Sequence, residues 1–111
     1  CFINGENKYI SVGDKRGKVE VWDFEQKKAH KVLKIGGSHW VPAATSTNNI
    51  LAIGAYDRKL RLYDVSNWEC FYVKNCDIAI TQLHLTRDLK YLTMAGSDAN
   101  HTYRAYVMKV E

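Results

Sequence analysis

Hydrophobic and polar residues alternate with a period of two along much of the chain. The clearest examples are Lys18-Val19-Glu20-Val21-Trp22 and Lys59-Leu60-Arg61-Leu62-Tyr63. Successive side chains of a strand point to opposite faces, so this alternation predicts strands with one buried face. Runs of β-branched and aromatic residues predict further strands at 31–35, 71–73, 78–85, 91–95 and 103–108. No segment keeps a helical period for more than two turns. The chain is therefore predicted to be all-β.

Short clusters of Asn, Asp, Ser and Gly separate the predicted strands. They lie at 4–7, 14–17, 36–38, 46–49, 66–67 and 87–88. These residues tolerate the positive φ angles of tight hairpins, so the clusters predict short turns between antiparallel strands.

An internal repeat links these elements. Val12–Asp23 aligns with Ile53–Asp64, so that Gly13, Trp22 and Asp23 recur as Gly54, Tyr63 and Asp64. A third copy begins at Ala95-Gly96-Ser97-Asp98, with Gly96 aligned to Gly54, and places Ala105-Tyr106 in register with the aromatic–Asp pairs. A period of roughly 40–45 residues with four strands per unit is typical of a propeller blade.

The repeats resemble the WD40-repeat family. Trp22-Asp23 matches the dipeptide that names the family, and Gly37-Ser38-His39 is similar to its Gly-His signature. The resemblance implies blades of four antiparallel strands, a to d from the axis outward. It divides the chain into a first blade over 1–38 that lacks most of strand a, a second over 39–75, and a third over 76–111 that lacks strand d. Since closed propellers carry roughly four to eight blades, further blades are expected from the full-length chain or another chain.

The same resemblance places the individual strands and implies a hydrogen-bonded set within each blade. The set is His–Ser/Thr–Asp–Trp, for which the second blade offers His39, Asp57 and Tyr63. The Ser/Thr position falls on Ile53 or its neighbour, so the set is expected to be incomplete. We therefore expect His39 and Asp57 to be paired directly or through water, because an unpartnered buried polar group costs about 1–3 kcal/mol.

The resemblance also places the individual strands. They are expected at 8–13, 18–23 and 30–35 in the first blade, at 40–46, 49–55, 59–64 and 70–74 in the second, and at 78–85, 90–95 and 102–108 in the third. The structural signature comprises Trp22, Asp23, His39, Asp57, Tyr63 and Asp64.

A narrower similarity concerns the second and third repeats. Leu51–Asp57, Leu62–Val65, Ile80–Leu83 and Asp88–Tyr91 are similar to blades of echinoderm microtubule-associated-protein-like proteins, which also accept Tyr in place of Trp. This similarity implies a structural role on microtubules or in a cilium.

Composition indicates a soluble folded protein of one ordinary domain's length. The 111 residues are 46% hydrophobic and 25% charged, with a net charge of +4. No apolar run reaches the ~20 residues of a membrane helix, and no secretory signal is recognisable. Three cysteines, at positions 1, 70 and 76, are an odd set that favours free thiols and a reducing, cytoplasmic location. Because residue 1 is Cys, the chain is expected to be an excerpt or an incomplete gene product.

Basic residues recur in the predicted turns between strands b and c. Equivalent turns of adjacent blades share one face of a propeller, so these charges should form one rim near the d–a loop. The rim would attract acidic peptides, tubulin-like acidic tails or phosphate. Alternatively, the charges only keep turns and strand edges soluble. The predicted partner-binding face comprises Lys15, Arg16, Lys18, His39, Trp40, Tyr56, Arg58, Lys59 and Arg61.

Other chemistry finds little support. A second basic stretch over 27–34 is interpreted as edge protection. Trp40, Trp68, Tyr56 and Tyr72 could anchor a partner or pack between blades. Cys70, Cys76, His84 and His101 lack the spacing of a zinc site. No motif for nucleophilic, metal-dependent or phosphate chemistry is present. We expect no cofactor, no metal and no catalysis.

Three functional hypotheses follow. The first is a protein–protein interaction scaffold, and the second is a microtubule-associated or ciliary structural protein. The third, nucleic-acid binding, requires a continuous basic groove, which Glu20, Asp23 and Glu25 interrupt.

Overall fold

Three antiparallel β-sheets follow one another along the chain. The computed structural model describes residues 9–13, 17–23, 26–34, 43–47 and 49–110. The first sheet has the order β1-β2-β3, the second β4-β5-β6-β7, and the third β10-β9-β8, so neighbours in sequence pair throughout. The strands are β1 (Tyr9–Gly13), β2 (Lys18–Asp23), β3 (Lys28–Lys34), β4 (Ala43–Thr47), β5 (Ile50–Gly54), β6 (Lys59–Asp64), β7 (Glu69–Asn75), β8 (Ala79–Leu85), β9 (Tyr91–Ser97) and β10 (Tyr103–Lys109).

The period-two alternation sets which side chains are buried. In β2 the residues Val19, Val21 and Asp23 are buried while their neighbours are half-exposed, and β6 buries Leu60 and Leu62 in the same rhythm. The predicted all-β class is confirmed. Within the described ranges, no helix has the length and apolar character needed to cross a membrane.

The second sheet lies between the other two and is covered on both faces. On one face Leu51, Ile53 and Tyr63 join Val19 and Leu33 of the first sheet in one core cluster. On its other face Ala43, Ala52, Leu60 and Leu62 join residues of the third sheet in a second cluster, the latter being Ile78, Ile80, Leu85, Leu92 and Met94. Each sheet therefore buries its apolar faces against its neighbours, as stacked repeats do.

The internal repeat extends into the outer strands. The β2–β3 ladder has a bulge between Val21 and Trp22, and the β6–β7 ladder has one at the equivalent step between Leu62 and Tyr63. The outer strand of the first sheet also contacts the second sheet, since the His30 and Trp68 rings meet edge to face with centroids 6.2 Å apart. Trp68 packs against the first core cluster, so this aromatic residue joins two sheets.

The third repeat departs from its predicted register. Leu92 and Met94 face the second sheet, as Leu51 and Ile53 face the first, so Gly96 takes the position of Ala55 rather than that of Gly54. A shift of one residue moves a side chain to the opposite face of a sheet. The alignment of Gly96 with Gly54 is therefore wrong.

The aromatic–Asp position of the third repeat must also be corrected. Tyr63 pairs with Leu51, and the residue that pairs with Leu92 is Met108. Met108-Lys109, not Ala105-Tyr106, thus corresponds to Tyr63-Asp64. The reason is a longer hairpin: β9 and β10 pair over seven residues each, whereas β5 and β6 pair over five.

Candidate functional site

The turn between β5 and β6 is the best-described part of the predicted partner-binding face. The Arg58 N–H donates to the Ala55 carbonyl at 3.2 Å, and Arg58 adopts a left-handed φ of 66°. The equivalent position of the repeat in the first sheet is Gly17, whose φ is 73°. Left-handed residues other than glycine also occur in the other turns, at Lys27, Asn49, Trp68, Leu89 and His101. The hairpin geometry therefore imposes this conformation, and Arg58 places a cation where glycine would fit best.

Asp57 organises this turn from within. Its Oδ1 accepts the backbone N–H of Lys59 at 3.1 Å, and its two carboxylate oxygens accept Arg61 Nη1 at 3.3 Å and Nη2 at 2.6 Å. The side chains of Asp57 and Arg61 are only 12% and 11% exposed. Arg61 pairs with Ile53, whose side chain belongs to the core cluster shared with the first sheet. Asp57 thus has Arg61 as its ion-pair partner. The predicted pairing with His39 concerns a residue outside the described part of the chain.

The ion pair leaves the turn with a positive outer surface. Arg61, which was predicted to contribute to the rim, has its charge offset by Asp57. Arg58 is exposed and Lys59 is half-buried, and among the described residues neither side chain has an ion-pair partner. Tyr56 is 39% exposed beside them. We call Tyr56, Arg58 and Lys59 the turn surface.

Backbone hydrogen bonds connect this turn to the end of β7 and to the third sheet. The Ala55 carbonyl accepts the Ile80 N–H at 3.3 Å, and the Arg58 carbonyl accepts the Cys76 N–H at 2.7 Å. Ile80 in turn pairs with Gly96 in β9. The turn surface is therefore fixed next to the β9–β10 hairpin rather than being a free loop.

The β9–β10 loop is built on the same device. Asp98 Oδ1 accepts the N–H groups of Asn100 and Thr102, both at 2.9 Å, and Oδ2 accepts Arg104 Nε at 2.6 Å. The Arg104 bond, followed by the backbone bonds, lowers the pKa of the Asp98 carboxyl below its ordinary 3.8. Because this hairpin has two additional residue pairs, its tip extends about 7 Å further than the Asp57 turn.

In the first sheet, a carboxylate accompanies Lys18, the lysine that corresponds to Lys59. Lys18 Nζ lies 3.9 Å from the Glu20 carboxylate, which also accepts the Trp22 indole N–H at 2.8 Å. Glu20 occupies the position that corresponds to Arg61. The predicted members Lys15, Arg16, His39 and Trp40 lie outside the described residues, so the continuous rim remains a prediction.

Three residues of the predicted structural signature make local contacts in the described part of the chain. Asp23 is buried and accepts the Gln26 N–H at 3.0 Å, which closes the β2–β3 turn. Asp64 accepts the Ser66 hydroxyl and N–H, and these two bonds lower the pKa of its carboxyl. Tyr63 belongs to the first core cluster, where burial raises the pKa of its hydroxyl.

In the described ranges, no group of three or more His, Cys, Asp or Glu residues is placed to hold a metal ion. The partner-binding face predicted from the sequence did not include Asp98 and Arg104. The available signal was the recurrence of the turn aspartate, since Asp57 falls on Asp98 when the spacing of the first two repeats is continued.

Comparison with known proteins identifies the fold. No protein-family profile matches the chain, and no curated protein matches its sequence. Among solved structures, the chain is similar to the β-propeller domain of Myceliophteria thermophila Cps50 (Swd1), with a TM-score of 0.75 and 16% identity over 97% of this chain and 38% of that one. It is similar to the RRP9 WD40 repeats with a TM-score of 0.73 and 15% identity, over 94% of this chain and 34% of that one.

A designed protein gives the third match. The computationally designed Ika4 protein has a TM-score of 0.73 and 18% identity over 96% of this chain and 62% of its own. The chain thus spans less than two thirds of the length of each of these structures. It has the fold of consecutive antiparallel blades from part of a WD40 β-propeller.

Proposed function

We propose that this chain is part of a non-catalytic scaffold that binds an acidic segment of a partner protein at the turn surface. One observation carries the proposal. The only carboxylate within the Ala55–Arg61 segment, Asp57, is taken by Arg61 in a two-bond ion pair, so Arg58 and Lys59 are left to meet an external anion.

The geometry favours carboxylate or phosphate groups on a flexible segment. Arg58 offers a planar guanidinium that can bind a carboxylate through two parallel bonds, and Lys59 adds a second cation. The turn is held by backbone bonds to Cys76 and Ile80, so little conformational freedom is lost on binding. Tyr56 can supply apolar contact area with a polar tip.

Charge reversal tests the proposal in the complete protein. Arg58→Glu with Lys59→Glu should weaken binding of a fluorescent hexaglutamate peptide about tenfold or more, since two attractions become repulsions. Lys90→Glu with Lys109→Glu is the matched control, because it reverses two exposed lysines elsewhere. Equal loss in both double variants would reduce the effect to net charge, and no loss in the first would exclude the turn surface.

A wider rim can be tested in the same assay. Adding Arg16→Glu to Arg58→Glu should weaken binding further if the turn of the first blade lies on the same rim. An affinity equal to that of Arg58→Glu alone would limit the site to the second blade.

The microtubule hypothesis is a more specific version of this proposal. The acidic tails of tubulin have the chemistry that the turn surface would bind, and no described contact selects them over other acidic segments. Cosedimentation with microtubules that is lost when the tails are clipped by protease would support it. Binding to hexaglutamate without cosedimentation would leave the general proposal and discard the microtubule version.

A further inference from the structure

The outer strand of the second sheet has an unusually apolar edge. All seven residues of β7 are exposed, and Phe71 and Val73 are 55% and 54% exposed. β7 pairs only with β6, so its second edge has no strand partner within the described residues.

The repeat supplies an internal comparison. β3 carries lysines at positions 28, 31 and 34 and a histidine at position 30. At the corresponding positions, β7 carries Glu69, Tyr72 and Asn75 in place of the lysines and Phe71 in place of the histidine. Lysine on an edge strand discourages pairing with another strand. β3 keeps this protection and β7 has lost most of it, although the two strands share their length and their bulge.

The ladder shows which backbone groups of β7 are available. The Cys76 N–H donates to the Arg58 carbonyl, and hydrogen-bonded pairs alternate along an antiparallel ladder. Tyr72 and Lys74, opposite Leu62 and Leu60, therefore direct their backbone groups to β6. Val73 directs its N–H and carbonyl away from the sheet, towards an incoming strand.

We propose that the β7 edge is a second interaction site, which adds an extended peptide from another protein as a fifth strand of the second sheet. The peptide alternates apolar residues, and it runs antiparallel to β7 as the rest of the sheet does. Glu69 and Lys74 lie near the two ends of the edge, so an acidic residue at the start of the peptide and a basic residue at its end would complement them.

The size of the edge favours a peptide over a second copy of this chain. Two folded rims that meet along one strand fall short of the roughly 1,200 Å² of a stable interface. A flexible peptide instead forms backbone hydrogen bonds along its whole length and places alternate side chains against Phe71 and Val73.

The test uses a blocked, fluorescent seven-residue peptide that begins with glutamate, ends with lysine and alternates valine with threonine between them. We expect saturable binding by anisotropy, weakened about tenfold by Val73→Pro, which removes an outward N–H but no bond to β6. Val32→Pro, at the equivalent position of β3, should leave the affinity unchanged. Thermal melting of both variants checks that the sheets remain folded. If Val73→Pro does not fold, Val73→Ala, which retains the backbone N–H, is measured instead.

Chemical controls separate backbone pairing from simple stickiness. A peptide N-methylated at every internal amide should not bind, and one with its end charges exchanged should bind more weakly. The proposal is overturned if no saturable binding occurs, if N-methylation or Val73→Pro leaves the affinity unchanged, or if the unliganded protein forms dimers that Val73→Pro abolishes.

Discussion

The second and third sheets contain the same aspartate–arginine device in two environments. The Asp57–Arg61 pair lies on the side of the second sheet that packs against the first, and its side chains are 12% and 11% exposed. In the Asp98–Arg104 pair the aspartate side chain is again 12% exposed, but the arginine side chain is 54% exposed, although the closest distance is also 2.6 Å. Identical distances therefore correspond to different energetic roles. A neighbouring sheet turns the first pair into part of the protein interior, whereas solvent screens the second.

The largest expected effect is the loss of the covered pair. Asp57→Asn should destabilise the protein by about 3 kcal/mol, because Arg61 keeps its charge in a site that is nearly closed to water. Chemical denaturation measures the change. Asp88→Asn is the control, since Asp88 also caps a local turn, at Thr86 and Lys90, but is exposed. Similar losses in the two variants would contradict the distinction between covered and uncovered carboxylates.

Adding one methyl group at Gly54 tests the packing of the second sheet against the third. The Cβ of Gly54→Ala would lie 2.8 Å from Ile80 Cβ and 3.2 Å from Leu83 Cδ1, both in the third sheet. We expect a loss of about 1–3 kcal/mol, typical of overpacking. At the corresponding position of the third sheet, Ala95 already carries this methyl group. Ala95→Gly should cost only about 0.5–1 kcal/mol through backbone entropy, and thermal melting that ranks the two variants in the opposite order would refute the stacking.

Replacing Arg58 should separate stability from binding. Arg58→Gly relieves a left-handed conformation that costs a non-glycine residue about 1–2 kcal/mol, and it adds the entropy cost of glycine. We expect a net gain of about 0.5–1 kcal/mol in the free energy of unfolding together with weaker binding of hexaglutamate. Arg58→Asn should behave similarly, because asparagine tolerates the same φ. Loss of stability in both variants would show that the arginine side chain supports the fold.

Lowering the pH should reveal a smaller effect on stability, which comes from the Asp98–Arg104 pair. Arg104 holds the pKa of Asp98 in the folded protein below its ordinary 3.8. The carboxylate therefore contributes stability above about pH 4, and this contribution is lost as the pH falls through the lowered value. Asp98→Asn should flatten that part of the stability–pH curve and lower the free energy of unfolding at pH 7, where the contribution of the carboxylate is fully present. An unchanged curve would mean that the pair does not persist in solution.

The strands and sheets were largely predictable from the sequence. Alternation in β2 and β6 and the intervening turn residues define strand positions locally, so the predicted bounds agree with the observed ones to within a few residues. The register of the third repeat was not predictable. Gly96 and Tyr106 imitate the spacing of the repeat, while two additional residue pairs in the hairpin place the true counterparts at Ala95 and Met108.

The ion pair of Asp57 with Arg61 was not part of the prediction either, for a different reason. Sequence similarity pointed to His39, which lies outside the described residues, so that pairing stays a prediction. Arg61 is in reach of Asp57 because the two side chains lie close together at the β5–β6 turn. Pairing across a turn depends on side-chain direction and on the neighbouring sheet, which the repeat alone does not specify. The Asp57–Arg61 pair matters for the turn surface, because it leaves Arg58 and Lys59 as the cations for a partner.

Face-to-face stacking of the sheets as blades, with residues of different sheets in one core, is the central claim. A double-mutant cycle between Val19→Ala in β2 and Ile53→Ala in β5 tests it directly, because both residues belong to the cluster between the first and second sheets. We expect a coupling free energy of about 0.5 kcal/mol or more by chemical denaturation. Additive losses, within about 0.3 kcal/mol, would show that the two sheets do not pack on each other.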